Sequence, residues 1–365
     1  MDVERVDDKS KSQPVRRLMA IVVSACVALA VGEGLLRMAG FSRQYVNPLH
    51  SFHQHDELVG HRGKPNFQGR FKTIDFDVVI EHDENGFRRQ VNQHSPRDPS
   101  QRLFVFGDSF TWGWGVAQGQ VYSDRMSELL QDHEVVNLGL NASGTVHQHA
   151  LFERHVKQQL QSGNIVMVTF CGNDFSDNVR GSLHGEVHDG QVKLVGPEPF
   201  GWEAKDWLKD HCYLFNLAAF HFDQFKSRRK HESGANRAVQ QLVQVGRQQS
   251  DIAVDAPEVI VTSEFLKRFR DDCRQQQASF YVAAIADDPV LRHVTSELGI
   301  ELIELFPHFQ RAIEQGRAER FTFEHDAHWN AAGHGMAAEV LADFILARES
   351  QATAEVAERA SGAPR

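Results

Sequence analysis

The stretch RLFVFGDSF, residues 102–110, decides the fold. Leu103 to Phe106 are an unbroken run of apolar β-formers without alternation, the pattern of a parallel strand buried on both faces. The run breaks at Gly107-Asp108-Ser109, where a strand gives way to a helix and leaves a small, potentially nucleophilic residue at the turn. Strands of the same kind return in EVVNLGL (134–140), NIVMVTF (164–170), ASFYVAAI (278–285) and IELIELF (300–306). Helical patterns over 120–132, 146–162, 258–277, 288–298 and 331–347 separate or follow them. Strand and helix in repetition predict an α/β domain, a doubly wound parallel sheet, whose sites form at the carboxyl ends of the strands.

Working outward, residues 101–347 form this domain and 178–257 interrupt its rhythm. Within the interruption, 186–201 reads as a hairpin around Asp189-Gly190, 206–230 as an amphipathic helix with many aromatics, and 231–251 as a polar, Gln-rich, mobile stretch. Residues 42–100 read as a linker with a small antiparallel element, because FKTIDFDVV (71–79) alternates between turn signals at Lys64-Pro65-Asn66 and Glu84-Asn85-Gly86. The element looks like a collar or lid base. Residues 348–365 read as a disordered tail.

The first forty residues are of another kind. Leu18 to Gly32 is uncharged and apolar, preceded by Arg16 and Arg17, and reaches a spanning length only by including Glu33, with which Arg37 can pair one helical turn on. The segment 18–41 is expected to be an uncleaved transmembrane anchor, with 1–17 cytoplasmic and the rest of the chain exported from the inner or plasma membrane. A cleaved signal peptide is the competing reading, since Ala28-Leu29-Ala30 has the small-x-small form. A formal charge of −10 without a Lys/Arg stripe excludes nucleic acid as a partner class. Cys26, Cys171, Cys212 and Cys273 make no metal spacing, and a Cys212–Cys273 bridge and two separate buried thiols both fit an exported domain.

Three polar clusters fall at strand ends or before the last helix: Gly107-Asp108-Ser109, Gly172-Asn173-Asp174 and Asp326-Ala327-His328-Trp329-Asn330. A serine hydroxyl needs a base to take its proton, and His328 is the base this architecture could bring to Ser109. Asp326 would hold the imidazole in the working tautomer. An oxyanion formed on an acyl carbon could be met by the Asn173 side chain and the Ser109 backbone N–H. Asn330 suits the N-cap of the helix starting at Ala331.

FGDSF, FCGND and DAHWN, in that order, resemble the signature blocks of the SGNH (GDSL-like) hydrolases, serine esterases and acyl-transfer enzymes on a flavodoxin-like fold. The resemblance spans about residues 101–347 and implies Ser109 as nucleophile, Asn173 as oxyanion donor, His328 as base and Asp326 as its acid. The family's second block supplies a glycine N–H, and aligning VVNLGLNASGT on Asn137 puts Ala142 there, a donor that survives if its φ is negative. Asp326 stands two residues before His328 where many members have three, a spacing that resembles the exported polysaccharide O-acetyltransferase-like branch.

Simpler roles stand beside these. Ser109 could be only a helix cap, Asn173 a turn residue and Asp174 a cap. Trp112 and Trp114 could be core or an aromatic wall beside Ser109. His325, His328 and His334 invite a zinc reading, but no fourth ligand is apparent and the acyl-transfer roles are filled, so no metal or cofactor is expected. The reading that results is an exported serine esterase or acyltransferase acting on O-acyl groups of a cell-envelope or extracellular carbohydrate, with a membrane acyl donor as a conceivable partner. A lipid-directed esterase or thioesterase and a non-catalytic carbohydrate-binding module are the alternatives.

Overall fold

The computed structural model describes residues 9–39, 52–73, 75–91, 98, 100–196, 211–215, 217–218, 221–222, 252–316 and 321–361. The first described element is the helix α1 (Lys9–Met38), whose segment Arg16–Met38 is long and apolar enough to cross a membrane and is not buried against the protein. At its end Glu33 and Arg37 form the expected pair at 2.9 Å. Glu33 also accepts from the backbone N–H groups of Tyr213 and Leu214, both at 3.0 Å, and Arg37 donates to the His211 carbonyl at 2.8 Å. These bonds tie the end of α1 to the 178–257 interruption. Most of the aromatic helix expected over 206–230, and the Gln-rich stretch, lie outside the described residues.

Two hairpin-like pairs follow where one small element was expected. The strands β1 (His53–Asp56) and β2 (Gly60–Gly63) pair antiparallel, as do β3 (Gln68–Lys72) and β4 (Asp77–Glu81). Phe52, Phe71, Phe76 and Ile80 bury themselves with Trp112, which closes this collar onto the main domain.

The domain proper runs β5 (Arg102–Gly107), α2 (Ser109–Trp112), α3 (Tyr122–Leu129), β6 (Glu134–Gly139), α4 (Thr145–His155), β7 (Ile165–Phe170) and α5 (Asp174–Arg180). A hairpin of β8 (His184–His188) and β9 (Gln191–Val195) turns at Asp189-Gly190, both with positive φ, as the sequence led us to expect. The chain then completes the domain with α6 (Pro257–Gln275), β10 (Ser279–Ala284), α7 (Pro289–Leu298), β11 (Glu301–Glu304), α8 (Phe306–Glu314) and α9 (Ala331–Ser361).

The five central strands are parallel in the order β11-β10-β7-β5-β6. Read from the other edge this is the doubly wound order 2-1-3-4-5, whose switch point lies between β5 and β7. Alternate side chains of the strands feed two cores. Phe104, Phe106 and Val168 pack with Phe152 of α4 and Phe265 and Phe269 of α6, while Leu103, Val105 and Met167 pack with Met126 of α3 and Leu341 and Ile345 of α9. Burial on both faces is why the strands read as unbroken apolar runs.

The tail expected to be disordered is helical to Ser361. Residues 348–361 lack Gly and Pro and are rich in Ala and Glu, so propensity carries the helix past Ile345, the last buried residue among those whose burial is described. Glu349 also meets the buried His133 at 2.8 Å. Cys171 and Cys273 are buried and Cys212 half-buried, and all three are free thiols.

Candidate active site

At the end of β5 a Cβ on Gly107 would fall 2.1 Å from Thr111 Oγ1, and on the neighbouring β6 a Cβ on Gly139 would fall 2.4 Å from the Trp112 nitrogen. Only glycine at both positions lets α2 sit directly on the two strand ends. Asp108 caps α2 by accepting from the Phe110 N–H at 3.0 Å. Ser109 is thereby the first residue of α2, at the switch point and partly open to solvent.

The loop before α9 delivers the other partners. Asn330 caps α9 by accepting from the Ala332 and Gly333 N–H groups at 2.9 and 3.0 Å, as expected. Trp329 is fully buried against Phe309 and Phe110. The neighbouring His328 then points outward, and its Nε2 lies 2.7 Å from Ser109 Oγ. Its Nδ1 lies 2.5 Å from Asp326 Oδ1, which also accepts from the His328 backbone N–H at 3.0 Å. Asp326 Oδ2 accepts from Trp114 Nε1 at 3.0 Å. The imidazole lies between Trp114, stacked at 5.0 Å and 20°, and Phe110 at 4.9 Å.

Electrostatics follow from this packing. Burial pushes the Asp326 carboxyl up, but the His328 imidazole and the hydrogen bonds from His328 and Trp114 outweigh it and hold the group at about 2. Burial likewise pushes His328 down, and the Asp326 carboxylate more than reverses it, so His328 titrates above its usual value. Asp108, wholly buried, is raised to about 6 by desolvation although the Phe110 N–H, His328 and Asn173 pull it back. Asp174 is raised strongly by burial and by the nearby Asp108 charge. A serine hydroxyl, an imidazole poised as acceptor and an ionised aspartate in a chain can activate an alcohol nucleophile.

The remaining site residues divide. Asn173 is exposed at the start of α5; its Nδ2 donates to Asp177 Oδ2 at 2.7 Å, and its side chain also interacts with the Asp108 carboxyl. The negative φ on which the Ala142 donor depends is not found: its φ is +51°. The Leu140 N–H and the Ser143 hydroxyl both bind the Gly107 carbonyl, so Asn141-Ala142 must turn tightly between them, and the turn requires a left-handed residue. His325 and His334 do not join His328. His325 Nδ1 meets Asp75 Oδ1 at 2.8 Å, and buried His334 accepts at Nδ1 from the Tyr122 N–H at 3.2 Å. Trp112 is core and Trp114 belongs to the His–Asp pair. The contacts of Asp75 and Trp114 with this loop were not anticipated; only the position of Trp114, five residues after Ser109, hinted at its place.

The sequence profile of the GDSL-like lipase/acylhydrolase family matches residues 105–336, well over half the chain. Solved structures with similarity include a lipolytic protein of the G-D-S-L family from Veillonella parvula, 10% identical over 66% of this chain and 94% of that one, with a TM-score of 0.36. An acetyl xylan esterase is 12% identical over 66% and 97% of the two chains with a TM-score of 0.36. The acetylxylan esterase of Geobacillus stearothermophilus is 14% identical over 66% and 92%, with a TM-score of 0.35. No protein of curated function matches the chain.

Proposed function

The chain belongs to the GDSL-like lipase/acylhydrolase family and is an ester-bond hydrolase by that membership, and we propose that it is a membrane-anchored, exported serine esterase or acyltransferase acting on O-acyl groups of a cell-envelope or extracellular carbohydrate. The observation that carries the mechanism is the 2.7 Å contact of Ser109 Oγ with His328 Nε2, whose other nitrogen rests on Asp326. His328 takes the hydroxyl proton as Oγ bonds to the acyl carbon. The oxyanion so formed is met by the N–H of Ser109 and the Asn173 side chain. The protonated imidazole gives its proton to the leaving alkoxide as the C–O bond breaks, which frees the alcohol and leaves an ester on Ser109. A water or a sugar hydroxyl then attacks that ester with His328 as base, and the released Ser109 recovers its proton.

The exported placement is supported by the unburied apolar segment Arg16–Met38 with arginines at its start. The carbohydrate acceptor is supported by that placement and by the two-residue spacing of Asp326 and His328. A lipid-directed esterase is the second reading, favoured by an open apolar groove of Phe76, Val78, Val116, Phe323 and Ala332 beside the loop that carries His328.

The test is labelling of the full chain with a fluorophosphonate, with Ser109→Ala and His328→Ala beside it. Labelling that vanishes in both variants supports the nucleophile and base; labelling that survives Ser109→Ala refutes them. Acetate release from acetylated oligosaccharides, set against hydrolysis of long-chain acyl esters, separates the two substrate readings.

A further inference from the structure

We infer that the collar, residues 52–91, is a working part of the active site, and that its Asp75 is a positioning residue for the loop bearing Asp326 and His328. The inference rests on the serine-hydrolase reading above. The collar lies outside residues 105–336, the segment matched to the family.

Asp75 stands in the connection between β3 and β4, its side chain only 6% exposed. Both carboxylate oxygens lie 3.2 Å from the backbone nitrogen of His325, and Oδ1 lies 2.8 Å from its Nδ1. His325 directly precedes Asp326, so this carboxylate fixes the peptide adjoining the acid of the triad. A buried carboxylate is costly unless its oxygens find donors, and here the donors belong to this one loop.

The collar grips the facing loop as well. Arg88, 2% exposed, donates to the carbonyls of Gly113 at 3.1 Å and Val116 at 2.7 Å, and to Gln118. Between Gly113 and Val116 lies Trp114, whose ring rests edge-on against Phe71 of β3 at 5.2 Å and whose nitrogen reaches Asp326. Phe76 and Phe323 touch at 5.0 Å, and a Cβ on Gly115 would fall 2.6 Å from Phe76. The two loops that meet on the His328–Asp326 pair are thus each held by a buried charge of the collar bonded to loop backbone. Loops free of such bonds sample many conformations, and a misplacement of about 1 Å at the reacting groups costs up to about 100-fold in rate.

The experiment uses the full chain in detergent, with hydrolysis of p-nitrophenyl acetate and the rate of fluorophosphonate labelling as readouts. Asp75→Ala is expected to lower kcat about 10- to 100-fold with KM within twofold, and to slow labelling by the same factor. Asp75→Asn keeps an acceptor for the His325 N–H and recovers most of the loss. Should Asp75→Ala not fold, Asp75→Glu shifts the carboxylate by one methylene and is expected to lower kcat without lowering Tm. Wild-type kcat in the Ala or Glu variant, or an Asn variant no better than Ala, overturns the inference. Ser109→Ala separates the two levels: if it abolishes both readouts while Asp75 variants leave them unchanged, only the collar inference falls, and if it leaves them intact the underlying reading falls first.

Discussion

The indole nitrogen of Trp114 donates to Asp326 Oδ2 at 3.0 Å while its ring lies nearly parallel to His328, so one side chain both satisfies the second oxygen of the acid and covers a face of the base. Trp114→Phe removes the bond and keeps the stack. Hydrogen bonds to charged groups contribute roughly 1.5–3 kcal/mol, so kcat/KM should fall on the order of tenfold or more. Without this donor Asp326 binds its proton more tightly and draws more strongly on His328, so the acid limb of the rate profile moves to higher pH. A Phe variant with wild-type kcat/KM and profile would remove Trp114 from the machinery.

For the unmodified enzyme, His328 accepts the Ser109 proton only when neutral. Asp326 holds the imidazole above its ordinary 6.5, so activity is complete above the raised value and lost as pH falls through it. Asp326 stays ionised down to about 2 and contributes no second limb in the working range. Asp326→Asn leaves burial opposed by one carboxylate fewer, moving the limb to lower pH while kcat falls by about 10⁴. A pH series of kcat/KM on both proteins checks the pair of shifts; a limb in the same place in both would contradict the assignment.

Much of the fold and part of the site are legible in the sequence, and the division has a physical basis. Strands buried on both faces must be apolar throughout, which marks RLFVFG and NIVMVTF without reference to anything distant. Ser109 and Asn173 sit where such runs break, and Asp326 and His328 just before the last helix, so local pattern exposes them too. Asp75 and His325 are separated by 250 residues, and their bond has no local signature. The sign of φ at Ala142 depends on where Leu140 and Ser143 meet Gly107, which no propensity records. The helix past Ile345 presents no apolar stripe, so a periodicity argument overlooks what Ala-rich composition still supports.

Asp108 is expected to weaken the fold at neutral pH. Its folded pKa is raised to about 6, above the ordinary 3.8, so the folded state holds the proton more tightly. The stability this gives is present below 3.8 and lost as pH rises through 6, where the buried charge forms. Asparagine caps helices as well as aspartate does. Asp108→Asn should therefore raise stability at pH 7 on the order of 2 kcal/mol, with the gain vanishing near pH 3.5. Denaturant melts at both pH values test this, and an equal gain at both would point to packing rather than ionisation.

Ala142 carries a Cβ in left-handed backbone, φ +51°, at an exposed turn. That conformation costs an L-residue roughly 1–2 kcal/mol, while glycine adopts it freely but has a more flexible unfolded chain, an opposing effect of about 0.4–1 kcal/mol. The balance predicts that Ala142→Gly stabilises by a few tenths to about 1 kcal/mol. Because the substitution leaves the backbone N–H in place, fluorophosphonate labelling should keep its wild-type rate. Ala142→Val, branched at Cβ, should instead destabilise, since left-handed backbone is least accessible to such residues. If Gly and Val variants melt together with the parent, the turn relaxes to negative φ in solution and the strain assigned to Ala142 is absent.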